Sequence, residues 1–203
     1  ELIREAKQNF WNGIVVERDH LADYIDEADA ILIGPGMDRS EETAQLTNQL
    51  LRDYSHKKWV IDAGALQMVD SQLIPEQSIL TPHQGEFSKL TQAGFSLEEH
   101  SENVILVKGK VDTIYFQNQT HEIAGGNAGM TKGGTGDVLA GLVAALYTTH
   151  EALVAAVVAS YVNKQAGEHL YETVGPYFNA SDLVQAVPEI FWKLCQKVNT
   201  RIY

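Results

Sequence analysis

The sequence predicts an α/β fold with a mostly parallel sheet flanked by helices. Short aliphatic or β-branched runs recur along the chain, and each ends in small or polar residues. Apolar residues at consecutive positions are typical of strands that are buried on both faces, as in a parallel sheet. Helical patterns lie between several of these runs, and the succession strand, turn, helix, strand is the βαβ signature.

The predicted parallel strands are four apolar runs, which cover residues 30–33, 59–61, 78–80 and 104–107. Between them, Glu41 to Arg52 and Gly85 to Thr91 carry helix-forming residues at helical spacing. Residues 113–116 and 121–123 predict a hairpin at the edge of the sheet, turned at Asn118. This part of the chain is therefore expected to build the sheet.

The last third of the chain is predicted to be helical and largely buried. Apolar residues fall on one helical face between Asp137 and Tyr147, and Ala152 to Ser160 is almost uncharged. Ser181 is the candidate N-cap of a last helix, which Pro188 is expected to kink. Because no repeat or linker divides the sequence, residues 1–203 are predicted to form a single domain.

Composition excludes several classes of function. The chain has 15 Lys and Arg against 27 Asp and Glu, a net charge of −12. This charge repels nucleic-acid backbones and anionic membranes, so neither is expected as a partner. The single cysteine, Cys195, excludes an internal disulfide and a cysteine-rich metal site, and fits a reducing compartment. No apolar run approaches the roughly 20 residues that span a bilayer, and no signal peptide is recognisable. A cytoplasmic protein is therefore predicted.

Ligands of an open parallel sheet bind beyond the carboxyl ends of its strands. The turns that follow the four runs bring Asp62, His83 and Lys108 to that edge, together with glycines and prolines. Each of the three also has a simpler interpretation. Asp62 could cap the following helix, His83 could bond to the backbone at a strand end, and Lys108 could be a surface charge. No other histidine lies at metal-ligand spacing from His83, so no protein-held metal is predicted.

The glycine-rich segment 125–137, Gly-Gly-Asn-Ala-Gly-Met-Thr-Lys-Gly-Gly-Thr-Gly-Asp, opens into a helix. Free amides and the dipole at a helix N-terminus attract anions, most often phosphate. The segment matches neither the Walker P-loop nor the dinucleotide-binding motif G-x-G-x-x-G. Its candidate anion hole consists of Gly133, Gly134, Thr135 and Gly136. The alternative is a glycine-rich loop needed only for tight helix packing.

Asp137 follows the last glycine, in the first turn of the predicted helix. One interpretation is that its carboxylate only complements the helix dipole. The other is that it acts as a general base, taking a proton from a substrate hydroxyl while the amides stabilise a phosphoryl group.

Together these segments resemble the ribokinase-like superfamily, and within it the nucleotide-dependent NAD(P)H-hydrate dehydratases. The stretch Thr-Pro-His-Gln-Gly-Glu-Phe at 81–87 separates this group from sugar kinases that share only the glycine-rich loop. The matching stretches occur in the family's order and span most of the chain: Ile33–Met37, Asp62–Leu66, Leu80–Phe87, Val107–Gly109 and Gly126–Asp137.

The resemblance implies an enzyme that repairs NADHX and NADPHX, the hydrated forms of NADH and NADPH. The ring hydroxyl of the hydrate would be phosphorylated from ADP or ATP, with Mg²⁺ on the nucleotide phosphates, and elimination of phosphate would restore the reduced dinucleotide. Phosphate leaves readily near neutral pH, whereas hydroxide does not. Relatives of this kind often form homo-oligomers such as tetramers, so a homo-oligomer is expected.

The resemblance also assigns roles to residues of this chain. Gly36 and His83 would contact the hydrate, and Asp137 would be the base on its hydroxyl. Asn127 and Met130 would shape the pocket between the two ligands. The adenine-nucleotide site would be lined by Lys108, Gly109, Lys110, Val111, Asp112 and Gly136.

The chain departs from the family pattern at several points. Asp38 stands where members commonly have glycine, and 108–112 reads Lys-Gly-Lys-Val-Asp in place of Lys-Gly-x-Gly-Thr, so a differently shaped nucleotide loop is expected. Only residues 91–103 were expected to connect the Thr-Pro-His strand to the Lys-Gly strand, which is short for a crossover. The chain also starts late, so the N-terminal part of the fold is expected to be missing.

Two alternatives to the dehydratase stay open. One is a small-molecule kinase of the same superfamily, acting on a hydroxymethylpyrimidine or thiazole alcohol, which would release a stable phosphorylated product. The other is a catalytically silent nucleotide-binding domain, in which replacing Asp137 would change no turnover.

Overall fold

A mixed six-stranded sheet forms the centre of the computed structural model, which describes residues 2–199. Its strands stand in chain order: β1 Ile31–Ile33, β2 Trp59–Ile61, β3 Ile79–Leu80, β4 Val104–Val107, β5 Val111–Phe116 and β6 Gln119–Ala124. Strands β1 to β4 pair in parallel, and β4–β5 and β5–β6 pair antiparallel. The predicted parallel strands and edge hairpin are confirmed. Gln117 and Asn118 have positive φ, as a two-residue hairpin turn requires.

The described helices are α1 Leu2–Asn9, α2 Leu21–Glu27, α3 Glu41–Asp53, α4 Ala63–Met68, α5 Gln84–Gln92, α6 Thr135–Tyr147, α7 Ala152–Val174 and α8 Ala180–Asn199. The helices predicted around residues 41–52, 85–91 and 137–147 are thus confirmed as α3, α5 and α6. Helix α7 extends well beyond the predicted segment. Across residues 2–199, no helix combines the length and the apolar character that crossing a membrane requires.

The connection from β3 to β4 corrects one expectation. Residues 91–103 alone are short for a crossover, but the crossover helix α5 begins at Gln84, separated from β3 by only three residues. Most of this helix therefore lies before residue 91, and residues 93–103 return the chain to the sheet. The crossover is complete.

Helices cover both faces of the sheet. On one face, α6 and α7 pack small and aliphatic residues such as Val143 and Ala159 onto Val60 and Leu106. On the other face, Leu51 of α3 and Leu66 of α4 pack with the strand residues Trp59, Ile61 and Leu80. The strand side chains at these positions are fully buried, which explains why the strands read as continuous apolar runs.

The start of α8 corrects a second expectation. The N-cap is Asn179 and not Ser181: Oδ1 of Asn179 accepts hydrogen bonds from the amides of Ser181 (2.8 Å) and Asp182 (3.3 Å). The carboxylate of Asp182 accepts in return from the amide of Asn179 at 2.8 Å. This reciprocal capping box fixes the helix start two residues earlier than predicted. Pro188 lies inside α8, and the kink there stays a prediction.

Candidate active site

A pocket of about 640 Å³ opens at the carboxyl ends of β3 and β4, beside the N-terminus of α6. The two strand ends are tied together, because His83 and Lys108 form a parallel bridge and the amide of Lys108 donates to the carbonyl of Pro82 at 2.7 Å. The pocket brings together most of the predicted site residues: His83, Lys108, Gly109, Lys110, Asp112, Asn127, Met130, Thr135 and Gly136. The predicted edge of the sheet is therefore the edge that carries the pocket.

The other predicted residues lie outside this lining: Gly36, Val111, Gly133, Gly134 and Asp137. Val111 is exposed because side chains alternate along β5, and the neighbouring Asp112 is the buried one. Gly36, with φ of 75°, lies in the turn after β1. Asp137 is exposed on the first turn of α6, next to the lining residue Gly136.

The N-terminus of α6 presents free amides. Gly134 is the N-cap in the left-handed conformation, with φ of 87°, which glycine adopts without strain. The hydroxyl of Thr135 closes the turn by donating to the carbonyls of Met130 (2.6 Å) and Lys132 (2.8 Å). Within residues 2–199, the amides of Gly136 and Asp137 have no protein acceptor. Two amides are therefore available to an anion.

Lys108 places a positive charge over this helix end. Its Nζ lies 3.4 Å from the position that a Cβ on Gly136 would occupy. The same ammonium pairs with Oδ1 of Asp62 at 2.8 Å, and the Asp62 side chain is 1% exposed. Asp62 is the N-cap residue of α4, as the simpler interpretation expected, but within residues 2–199 its side chain makes no cap bond, and its carboxylate pairs with Lys108 instead. The interpretation of Lys108 as a surface charge is wrong, since its side chain is 18% exposed and paired.

His83 is the N-cap of α5, and this role decides which of its ring nitrogens carries the hydrogen. Its Nδ1 accepts from the amides of Gly85 (3.0 Å) and Glu86 (3.2 Å), while Glu86 accepts from the amide of His83 at 2.8 Å. A nitrogen that accepts two bonds carries no proton, so the hydrogen-bond network assigns the hydrogen to Nε2. The bond to the backbone that the simpler interpretation expected is present, and it leaves Nε2–H as a donor on an exposed ring edge.

The glycine-rich segment serves packing at one glycine and the helix start at another. A Cβ on Gly129 would overlap the ring of Phe178, so Gly129 is required by tight packing. Asn127 holds the segment on α7, because its Nδ2 donates to the carbonyl of Gly167 at 2.8 Å and its Oδ1 accepts from the amide of Gly129 at 2.9 Å. The packing interpretation therefore applies to Gly129, and the anion hole at the start of α6 stays a prediction.

Helix α7 contributes two pocket residues that the sequence does not single out, Asn163 and Lys164, and Lys164 pairs with the predicted site residue Asp112. Asp112, 4% exposed, accepts from the amide of Gly109 (2.9 Å) and the hydroxyl of Ser160 (2.7 Å), and pairs with Lys164 at 3.2 Å. Lys164 and Asn163 line the pocket and are each 4% exposed. The sequence does contain a pattern that indicates these residues: polar residues interrupt the apolar helix at Ser160 and again one turn later at Lys164.

The family model of the NAD(P)H-hydrate dehydratases matches residues 4–189. The chain belongs to this family. The bifunctional NAD(P)H-hydrate repair enzyme of Methanocaldococcus jannaschii is 35% identical over 176 residues, which are 85% of this chain and 35% of that protein. The ADP-dependent (S)-NAD(P)H-hydrate dehydratase of Enterococcus faecalis is 29% identical over 168 residues, which are 75% of this chain and 58% of that protein. The chain thus spans between about a third and somewhat over half of these relatives.

Solved structures of this dehydratase family share the fold. The ADP/ATP-dependent NAD(P)H-hydrate dehydratase of Bacillus subtilis, co-crystallised with ATP/Mg²⁺, matches with a TM-score of 0.66 and 28% identity, covering 81% of this chain and 64% of that one. A ribokinase-like superfamily protein of E. faecalis matches with a TM-score of 0.74 and 26% identity, covering 85% and 66%. The predicted ribokinase-like fold and the family resemblance are confirmed.

Proposed function

We propose that this chain dehydrates NADHX and NADPHX, using ADP or ATP as phosphoryl donor. The observation that carries the proposal is the helix end of α6, where the free amides of Gly136 and Asp137 and the ammonium of Lys108 converge beside His83. Membership of the dehydratase family gives the reaction. The alternatives of a superfamily kinase and a silent nucleotide-binding domain become outcomes of the test.

Charge around the pocket supports an anionic ligand despite the net charge of −12. The lining contains Lys108, Lys110, Lys132 and Lys164 but a single carboxylate, Asp112. Lys164 pairs with that carboxylate, and Lys108 pairs with Asp62 outside the lining. Among the described residues, Lys110 and Lys132 therefore carry the positive charge of the lining that no carboxylate compensates. The local excess of positive charge would attract the phosphates of a nucleotide and offset the repulsion from the rest of the surface.

Mg²⁺ would neutralise charge on the nucleotide phosphates during transfer. Among residues 2–199, no group of three His, Cys, Asp or Glu side chains could hold a metal ion. Both oxygens of Asp112 already have partners, so the pocket fits an ion that enters on the phosphates and keeps its waters. The protein's own part is to bind the phosphates through Lys108 and the α6 amides.

In the proposed reaction, Asp137 takes the proton of the ring hydroxyl, and the oxygen attacks the terminal phosphoryl group. The amides of Gly136 and Asp137 and the Lys108 ammonium stabilise the charge on that group as the nucleotide leaves. His83 donates from Nε2 to the hydrate and orients its ring. The C–O bond to phosphate then breaks with loss of a ring proton, and the double bond of the reduced nicotinamide returns.

The test follows absorbance at 340 nm with enzymatically hydrated NADH, ADP or ATP, and Mg²⁺. We expect NADH to return only when nucleotide is present. Asp137→Asn removes the base and should lower turnover by about two to four orders of magnitude. The matched control is Asp23→Asn, an exposed aspartate in the first turn of α2, which should leave turnover unchanged.

Three outcomes would contradict the proposal. A phosphorylated hydrate that accumulates without NADH would instead indicate a kinase. Nucleotide binding without turnover would indicate a silent binding domain. Full turnover of Asp137→Asn would remove the carboxylate from the mechanism.

We further propose that the chain acts in the cytoplasm and as a homo-oligomer. Exposed apolar side chains on α7 and α8, among them Tyr161, Val184 and Trp192, support contact between copies. Light scattering after size exclusion tests this assembly, and a monomeric mass would contradict it.

A further inference from the structure

We infer that Lys164 is a positioning residue of the nucleotide site: its buried ammonium neutralises Asp112 and fixes the two loops on either side of the pocket. The inference rests on the proposed function, because it assumes that a nucleotide occupies this pocket. It concerns a residue on α7 that the family resemblance does not assign.

The Lys164 ammonium contacts both loops at once. Its Nζ lies 3.1 Å from the carbonyl oxygen of Gly109 and 3.2 Å from that of Lys110, in the β4–β5 turn. It also lies 3.2 Å from the carbonyl oxygen of Gly125, at the start of the glycine-rich segment. One side chain therefore sets the distance between the two loops that the proposed nucleotide would enter.

The charge of Lys164 matters as much as its bonds. A buried ammonium and a buried carboxylate are each costly alone and tolerable as a hydrogen-bonded pair. Lys164 and Asp112 are each 4% exposed and pair at 3.2 Å. Without Lys164, the carboxylate of Asp112 would stand uncompensated in the wall of a pocket that binds a polyanion.

The bonds of Lys164 also orient a backbone donor. In a planar trans peptide, the N–H points away from the C=O. Because Lys164 binds the carbonyl of Gly109, the N–H of Lys110 points away from Lys164, and it has no acceptor within the described part of the chain. Glu168, one turn further along α7, binds the second loop through a donor instead, because its carboxylate accepts from the amide of Gly126 at 3.1 Å.

A neighbouring atom independently indicates that this face of α7 serves a ligand. Asn163 lines the pocket and is 4% exposed, and its buried Oδ1 has no partner among the residues that the structure describes. Buried polar atoms are nearly always satisfied, so an unpaired one beside a pocket calls for an explanation. A hydrogen bond between this oxygen and a donor group of the bound ligand would be such an explanation.

The experiment measures ADP binding by calorimetry, in the presence of Mg²⁺, together with KM and kcat for the nucleotide. Lys164→Met should raise the Kd and KM for ADP roughly tenfold or more, because it leaves a buried charge unpaired, and should change kcat little. The double variant Asp112→Asn/Lys164→Met carries no unpaired charge but still lacks the bonds to the two loops, so it should regain part of the affinity.

The chain offers a matched control in Lys58. This half-buried lysine also donates to backbone carbonyls, those of Tyr147 (2.9 Å) and Thr148 (3.4 Å), and it lies outside the pocket lining. Lys58→Met should therefore leave ADP affinity unchanged. Loss of affinity in this variant as well would show that removing any carbonyl-binding lysine has the same effect.

An ADP affinity of Lys164→Met within about twofold of wild type would overturn the inference, even with a lower unfolding temperature, because breaking a buried pair can cost stability alone. A double variant as weak as Lys164→Met would overturn the charge argument. If Lys164→Met does not fold, Lys164→Gln keeps donors in place and is judged by the same criteria. The ADP titration needs no NADHX, so failure of the dehydratase reaction is seen separately.

Discussion

Replacing Lys108 by Met tests how far the fold depends on the ion pair beneath the α6 helix end. The substitution keeps an aliphatic side chain of similar length but removes the charge that lies 2.8 Å from Asp62. Asp62 is 1% exposed and its Oδ2 has no partner in the described part of the chain, so Lys108 is the main compensation for its charge. Losing one partner of a buried pair costs about 3–5 kcal/mol, and the partial exposure of Lys108 favours the lower end, about 3 kcal/mol.

For a chain of this size, 1 kcal/mol corresponds to a shift in Tm of about 2–4 °C, so Lys108→Met should lower Tm by about 6–12 °C. Urea unfolding followed by circular dichroism measures the free energy directly. The double variant Asp62→Asn/Lys108→Met removes the unpaired carboxylate and should regain most of the stability, while ADP binding stays weak in both variants. A free energy of unfolding of Lys108→Met within about 1 kcal/mol of wild type would refute the reasoning.

Two further predictions concern stability. Gly167→Ala places a Cβ against the thioether of Met130 and should cost about 1–3 kcal/mol, whereas Gly141→Ala, whose Cβ meets nothing within 4 Å, should be neutral or stabilising. Urea midpoints compare the two variants, and equal midpoints would contradict the packing argument. Burial and then the Glu151 carboxylate raise the pKa of Tyr147 from 10.0 to about 12. The folded state therefore holds the phenol proton more tightly, and this contribution to stability is complete below pH 10 and lost as the pH rises towards 12. Tyr147→Phe should show a smaller loss over that range, and an identical pH profile would contradict the assignment.

The sheet could be predicted because its strands are buried on both faces, which leaves runs such as Val104–Val107 without polar residues. The cap of α8 was predicted two residues late, since Asn179, Ser181 and Asp182 are all good capping residues and only the backbone decides between them. Local sequence therefore predicts which helices and strands form better than it predicts the residue at which each one begins.

The site was predictable where residues follow strands directly, as His83 and Lys108 do, because the topology brings parallel strand ends to one edge. The pairing of Lys108 with Asp62 and of Asp112 with Lys164 was not predictable. Each pair joins residues far apart in the chain. The first contact depends on how β2 and β4 lie on either side of β3, and the second on how α7 packs against β5. Likewise, the sequence could not show that His83 uses one ring nitrogen for the helix cap.

The strands stand in the sheet in the order in which they occur along the chain, and this affects both folding and aggregation. Each strand joins the edge left by its predecessor, so the sheet can grow in one direction as the polypeptide emerges, without waiting for distant segments. Growth ends at β6, whose outer edge would otherwise recruit strands from other molecules. The polar side chains of Gln119, Thr120, His121 and Glu122 make that edge a poor template for aggregation.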